Sequence, residues 1–122
     1  AINALVASLL DLFPGRRFIL IIGMLSDKDA SECLHPLRRI SNRAIITQPA
    51  YERALPAERL LAVAQRVFDK STAEPTLAAA LEKAIQLCGP QDIILVTGSL
   101  FNVAEVREFV RSRNRSDIVP HV

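Results

Sequence analysis

"DIILVTGSLFNVAEVREF", residues 92–109, reads as a strand, a turn and a helix in immediate succession. Ile93 to Val96 are apolar without alternation, the pattern of a strand covered on both faces. Beyond the turn, Leu100, Val103, Val106 and Val110 recur at helical spacing and mark one apolar side. Gly98 permits a tight reversal between the two, and Ser99 is an apt residue to cap the helix.

The same grammar repeats upstream. "RFILIIGM" (17–24) and "RAIIT" (43–47) are further strands of the doubly covered kind, while "DKSTAEP" (69–75) is a linker that could hide one short strand. Ile2, Leu5, Val6, Leu9 and Leu10 form a helical stripe stopped by Pro14 and Gly15. Asp29 is placed to cap a second helix from Ala30, which Pro36 ends or bends. A third helix starts at Pro56, with Leu60, Leu61, Ala64, Val67 and Phe68 inward. A fourth opens at Pro75, carries Leu77, Leu81, Ala84, Ile85 and Cys88 on one face, and stops at Gly89 and Pro90. "QPAYERALP" (48–56), aperiodic and with two prolines, is a surface loop. Helices alternating with such strands predict an α/β three-layer sandwich: a mostly parallel sheet with helices on both faces, Rossmann-like in layout.

A length of 122 residues suits a single domain, and half the residues are hydrophobic. The apolar run Phe18–Leu25 is too short to cross a bilayer and no signal-peptide pattern opens the chain, so a cytoplasmic protein is expected. The net charge is +2, gathered in Arg38/Arg39 and in "RSRNRS" (111–116). With no tryptophan and few aromatics, these suit solvated helix ends better than nucleic acid. Cys33 and Cys88 are expected as reduced, buried thiols, and neither they nor His35 and His121 have metal-ligand spacing, so no metal site is expected.

Two turns lie where a parallel sheet receives ligands, beyond the carboxyl ends of strands: "GMLSDKD" (23–29) and "TGSLFN" (97–102). Each sets a glycine, Gly23 or Gly98, before a helix start, whose free N–H groups favour anions. Lys28 adds a positive charge, and Ser99 can cap or reach a ligand. The plain alternative is that the glycines only turn the chain while Asp27, Asp29 and Ser99 only cap. Neither turn is a glycine-rich phosphate loop, so the principal nucleotide site is expected elsewhere.

"GMLSDKD", "TQPAYERALPAERL" (47–60) and "DIILVTGSLFNVAEVRE" (92–108), in that order, closely resemble the C-terminal domain of folylpolyglutamate synthase/dihydrofolate synthase, in the Mur ligase superfamily. "RAL" (53–55) points to the folate branch. The family's Asp-Gly-Ala-His-Asn-Pro motif, which precedes the first helix of this domain, is absent, as is the ATPase domain. Together with a chain that starts inside a helix without methionine, this implies that residues 1–122 are a single C-terminal domain of a longer ligase. The resemblance implies ATP-dependent ligation of L-glutamate to a folate or to dihydropteroate through an acyl phosphate. ATP and Mg2+ would be held mainly by the missing domain, and none tightly by this fragment, which alone is expected to be inactive. Carried onto this sequence, Lys28 and Ser99 are the catalytic candidates, and Asp27, Asp29, Gly98 and Arg53 the substrate-binding ones. Two other readings are a Mur-type ligase of cell-wall precursors and a non-catalytic α/β binding module.

Overall fold

A computed structural model of the chain describes residues 2–48, 50–97, 103–112 and 117–121. In chain order its elements are α1 (Ile2–Leu12), β1 (Arg17–Ile22), α2 (Ala30–Leu34) continued by a 3-10 turn (His35–Arg39), β2 (Arg43–Thr47), α3 (Ala57–Val67), β3 (Lys70–Glu74), α4 (Leu77–Leu87), β4 (Asp92–Thr97), α5 (Val103–Ser112) and β5 (Ile118–His121). The strands form one sheet in the order β3-β2-β1-β4-β5, and every neighbouring pair is parallel. The expected three-layer α/β architecture is therefore the observed one.

Apolar continuity in the central strands has a direct cause. Even-numbered residues of β1 and β2 (Phe18, Leu20, Ile22, Ala44, Ile46) pack with α1, α2, the 3-10 turn and α3. Their odd-numbered neighbours (Ile19, Ile21, Ile45) pack with α4 and α5 on the other face. Each face thus needs its own apolar set, and Leu20, Ile45, Ile46, Ile94 and Leu95 are wholly shielded from solvent. Burial of such a side chain contributes roughly 1.5–3 kcal/mol, so this double-sided core is the main stabilising term.

Chain direction explains the strand order. The segments through α2 and α3 step from β1 to β2 to β3 along one face, then α4 crosses beneath to place β4 on the other side of β1. The order reverses between β1 and β4, whose final residues Ile22 and Thr97 lie in register. This is the topological switch point of a doubly wound sheet.

Several expectations need correction. β5 was not foreseen: it has only four residues, one of them Pro120, and lies at the sheet edge, where a missing N–H is tolerated. The stretch read as a linker does hold a strand, β3, whose residues are exposed or half-buried because it is the other edge. The α1 stripe is narrower than its spacing implied, with Val6 and Leu9 buried but Leu10 at 38% exposure. Cys33 and Cys88 are free thiols, as expected, but only half-buried. Each packs only against the margin of a core cluster, because α2 gives way to the 3-10 turn two residues after Cys33 and Cys88 is the C-cap of α4.

Candidate functional site

Beyond Ile22 the chain leaves the sheet through Gly23, which is buried and donates its N–H to the Thr97 carbonyl at 3.4 Å. Met24 to Ser26 then run antiparallel to Arg53–Leu55. Leu25 and Ala54 form a β-bridge, flanked by the Ser26 N–H to the Arg53 carbonyl at 2.8 Å and the Leu55 N–H to the Met24 carbonyl at 2.7 Å. The loop 48–56 is thus more than a surface excursion: it is clipped to the turn 23–29. Its far end is held as well, since Gln48 Oε1 accepts the Ala57 N–H at 3.1 Å at the start of α3.

Ser26 to Lys28 form a tight turn closed by the Lys28 N–H to the Leu25 carbonyl at 3.3 Å. Asp29 follows in extended backbone conformation and caps α2, its carboxylate accepting the Glu32 N–H at 3.1 Å. Capping is the structural role that the sequence offered for Asp29. Asp27 and Lys28 are exposed and form no ion pair among the described residues, so Asp27 does not hold the lysine by a direct bridge. Arg53 is exposed too, on the strand-like segment paired to Ser26. The turn bearing Lys28 and the loop bearing Arg53 are therefore one backbone unit.

Gly98 and Ser99 lie outside the described residues. What the structure gives is the place where the chain reaches them: β4 ends at Thr97, opposite the end of β1 and joined to Gly23. Both candidate turns accordingly depart from adjacent strands at the switch point, on the carboxyl edge.

Under this edge, burial is the first cause that pushes the Cys33 thiol above its ordinary ionisation range. The Glu32 and Asp29 carboxylates push the same way, and the Lys28 ammonium pulls against them. One polar side chain escaped the sequence reading. Thr47, the last residue of β2, is buried and its hydroxyl has no hydrogen-bond partner among the described residues. The pairing of the two loops was missed too, its one faint signal being the apolar Leu25 and Ala54 within polar stretches. His35 is exposed and engages its own helix through Nδ1 and the Ser31 carbonyl at 2.8 Å. Among the described residues no three metal-capable side chains cluster, and no helix is long and apolar enough to cross a membrane.

Comparison with known proteins supplies a family. The family described as Mur ligase, glutamate ligase domain, matches residues 1–100. A probable bifunctional folylpolyglutamate synthase/dihydropteroate synthase of Haloferax volcanii is 32% identical over 105 residues, which are 85% of this chain and 12% of that protein. The folylpolyglutamate synthase of Mycobacterium tuberculosis, solved with ADP and AMPPCP, superposes with a TM-score of 0.79 at 26% identity, over 88% of this chain and 26% of its own. Escherichia coli FolC in complex with DHPP and ADP gives a TM-score of 0.74 at 26% identity, over 92% and 26%. The chain spans about an eighth of the first relative and about a quarter of each solved structure.

Proposed function

The chain belongs to the Mur ligase glutamate ligase domain family, and from that premise we propose that it is the C-terminal, glutamate-binding domain of a folylpolyglutamate/dihydrofolate synthase. The reading rests above all on the switch point, where the Lys28 turn, the Arg53 loop and the exit of β4 toward Ser99 share one edge. Ligands of doubly wound sheets sit in that crevice. The complexes of related ligases with ADP and DHPP favour a folate-type acceptor and ATP as the activating reagent.

The reaction joins the amino nitrogen of L-glutamate to a carboxyl carbon of a folate or dihydropteroate. ATP converts that carboxylate to an acyl phosphate, with ADP released. The neutral amine then attacks the acyl carbon, a C–N bond forms, the C–O bond to phosphate breaks and the amine gives up a proton. ATP and Mg2+ are assigned to the ATPase domain of the intact ligase, since this sequence has no phosphate loop. In this chain, Lys28 and Ser99 orient the glutamate by pairing with its carboxylates. Arg53 adds positive charge, Gly98 lets the backbone approach, and Asp27 and Asp29 border the turn. Closure of the domain over its partner keeps water from the acyl phosphate. The enzyme works in the cytoplasm, and residues 1–122 alone neither hydrolyse ATP nor ligate glutamate.

The test is glutamate-dependent ADP release by the intact ligase, offered dihydropteroate, a folate or a nucleotide-linked peptide. Turnover on either pteridine acceptor supports the reading, and turnover on the peptide alone replaces it with the cell-wall reaction. Ser99→Ala is expected to lower kcat/KM for glutamate by about one to two orders of magnitude, the loss of a hydrogen bond to a charged group. A serine that merely capped its helix would instead lower stability by about 0.5–2 kcal/mol and leave the kinetics intact.

A further inference from the structure

We propose that the cleft at the amino ends of the strands is a second anion site, which takes a small molecule bearing two or more phosphate or carboxylate groups. The cleft has a volume of about 420 Å³ and lies where β1, β2, β3 and β4 begin. That volume falls in the range of small-ligand sites. Strands of five or six residues at about 3.3 Å each separate it from the Lys28 edge by some 15–20 Å of packed sheet, so the two cannot share one compact ligand.

Charge sets this cleft apart. It is lined by Arg17, Arg38, Arg39, Arg43 and Lys70 against the single carboxylate of Asp92. It therefore carries a formal +4 in a chain whose total is +2, leaving −2 for all the rest. Two of the cations have partners: Arg17 Nε lies 3.4 Å from Asp92, and Arg38 lies 3.8 Å from Asp69. Arg39, Arg43 and Lys70 form no ion pair among the described residues.

The placement of Arg43 and Lys70 is the decisive feature. They are the first residues of adjacent parallel strands and stand in register, so their side chains project from the same face. Like charges set directly opposite on neighbouring strands are destabilising. Arg38 and Arg39, in the last turn of the 3-10 segment, are explained well enough by the negative end of that segment. Helix ends do not, however, call for a like-charged pair in register on neighbouring strands beside those two arginines. A bound polyanion does.

The floor of the cleft is also fixed in advance. Ser41 Oγ donates toward the Phe18 carbonyl and accepts the Arg43 N–H at 3.1 Å. The Asn42 side chain accepts the Asp69 N–H at 3.2 Å and donates to its carboxylate at 2.6 Å, while the Asn42 carbonyl accepts the Lys70 N–H at 3.1 Å. β1, β2 and β3 are thereby tied together at the points where their cations leave the backbone. Little ordering remains to be done when an anion binds.

Isothermal titration of the 122-residue chain with tripolyphosphate and with citrate, at physiological ionic strength, tests the assignment and separates phosphate from carboxylate ligands. Saturable one-to-one binding of either is expected, at least about tenfold weaker in the Arg43→Gln/Lys70→Gln double variant and unchanged in Arg66→Gln, a cation outside the cleft. Melting adds an independent sign. Without ligand the double variant should melt no lower than wild type, because a repulsion is gone, and added tripolyphosphate or citrate should raise only the wild-type Tm. Should the double variant melt lower, Arg39→Gln, away from the strand pair, must still weaken binding severalfold. Equal affinity in all variants, no saturable binding of either probe, or tighter binding of a hexaglutamate peptide than of both would overturn the small-anion site. The last result would give the surface to an acidic protein segment instead.

Discussion

The carboxyl and amino edges of this sheet face the same kind of charge with opposite resources. At the carboxyl edge helices begin, and the chain turns back through Gly23 and the paired segments Met24–Ser26 and Arg53–Leu55. Unpaired N–H groups and the positive end of each helix favour an anion there, so a few side-chain cations suffice. At the amino edge helices end, and their carbonyls disfavour anions. Only side chains can reverse that field, and there five cations surround one cleft. A parallel sheet thus has one edge where backbone supplies positive potential and one where it must be added residue by residue.

The comparison breaks most visibly at Lys28. This side chain is exposed and bonded to nothing among the described residues, so Lys28→Ala should leave the Tm within the scatter of surface substitutions. In the intact ligase the same change should lower kcat/KM for glutamate by about 10- to 100-fold, as a charge and its donors are lost. Ordinary kinetics together with an ordinary Tm would reduce the turn to a chain reversal.

At the amino edge the expected effect moves from kinetics to stability. Ser41 is buried, and its hydroxyl bonds the Phe18 carbonyl and receives the Arg43 N–H. Ser41→Ala strands a carbonyl and an amide at the start of two central strands and should cost about 1–3 kcal/mol in denaturant unfolding. Glutamate kinetics of the folded ligase should stay unchanged, since the carboxyl edge is at the far end of both strands. Next in size is Asp29→Ala, which removes the cap of α2 and should lower stability by about 0.5–2 kcal/mol. A kinetic loss in Asp29→Ala as large as that of Lys28→Ala would make the aspartate a ligand-binding residue as well.

How far the sequence discloses these edges depends on what each feature is made of. β1, β2 and β4 are legible because a strand covered on both faces must be apolar at every position, as "ILII" (19–22) and "IILV" (93–96) are. β3 and β5 sit at the sheet margins, each paired on one side only: "KSTAE" is exposed or half-buried, and β5 offers just Ile118 and Val119 to the core before a proline, too short an apolar run to mark a strand. The candidate turn was legible as residue types, since glycine, lysine and a capping aspartate each carry a local meaning. Its clasp to Arg53–Leu55 was not, because backbone bonds between loops leave almost no trace in side-chain identity. The basic cleft was less legible still. Arg43 and Lys70 are 27 positions apart, and only the register of β2 against β3 sets them side by side.

The smallest effect concerns Cys33, which reports on Lys28 from below. Burial foremost, then Glu32 and Asp29, raise the thiol's pKa, while the Lys28 ammonium lowers it. Alkylation requires the thiolate, so in a Cys88→Ala background Cys33 should react more slowly at mildly alkaline pH than an unstructured thiol. Removing the ammonium in Lys28→Ala should slow it further, and Glu32→Gln should speed it up. The sign for stability follows from linkage. A thiol that holds its proton more tightly when folded contributes fully below its unfolded pKa, and that contribution fades as pH rises through the higher folded value. Stability should therefore decline slightly on the alkaline side through this group, and the decline should steepen in Lys28→Ala. Iodoacetamide rates across a pH series check both signs. An unchanged or faster rate in Lys28→Ala would mean that the ammonium does not stand over α2, and with it would go the picture of Lys28 as the side-chain cation that adds to the positive backbone edge.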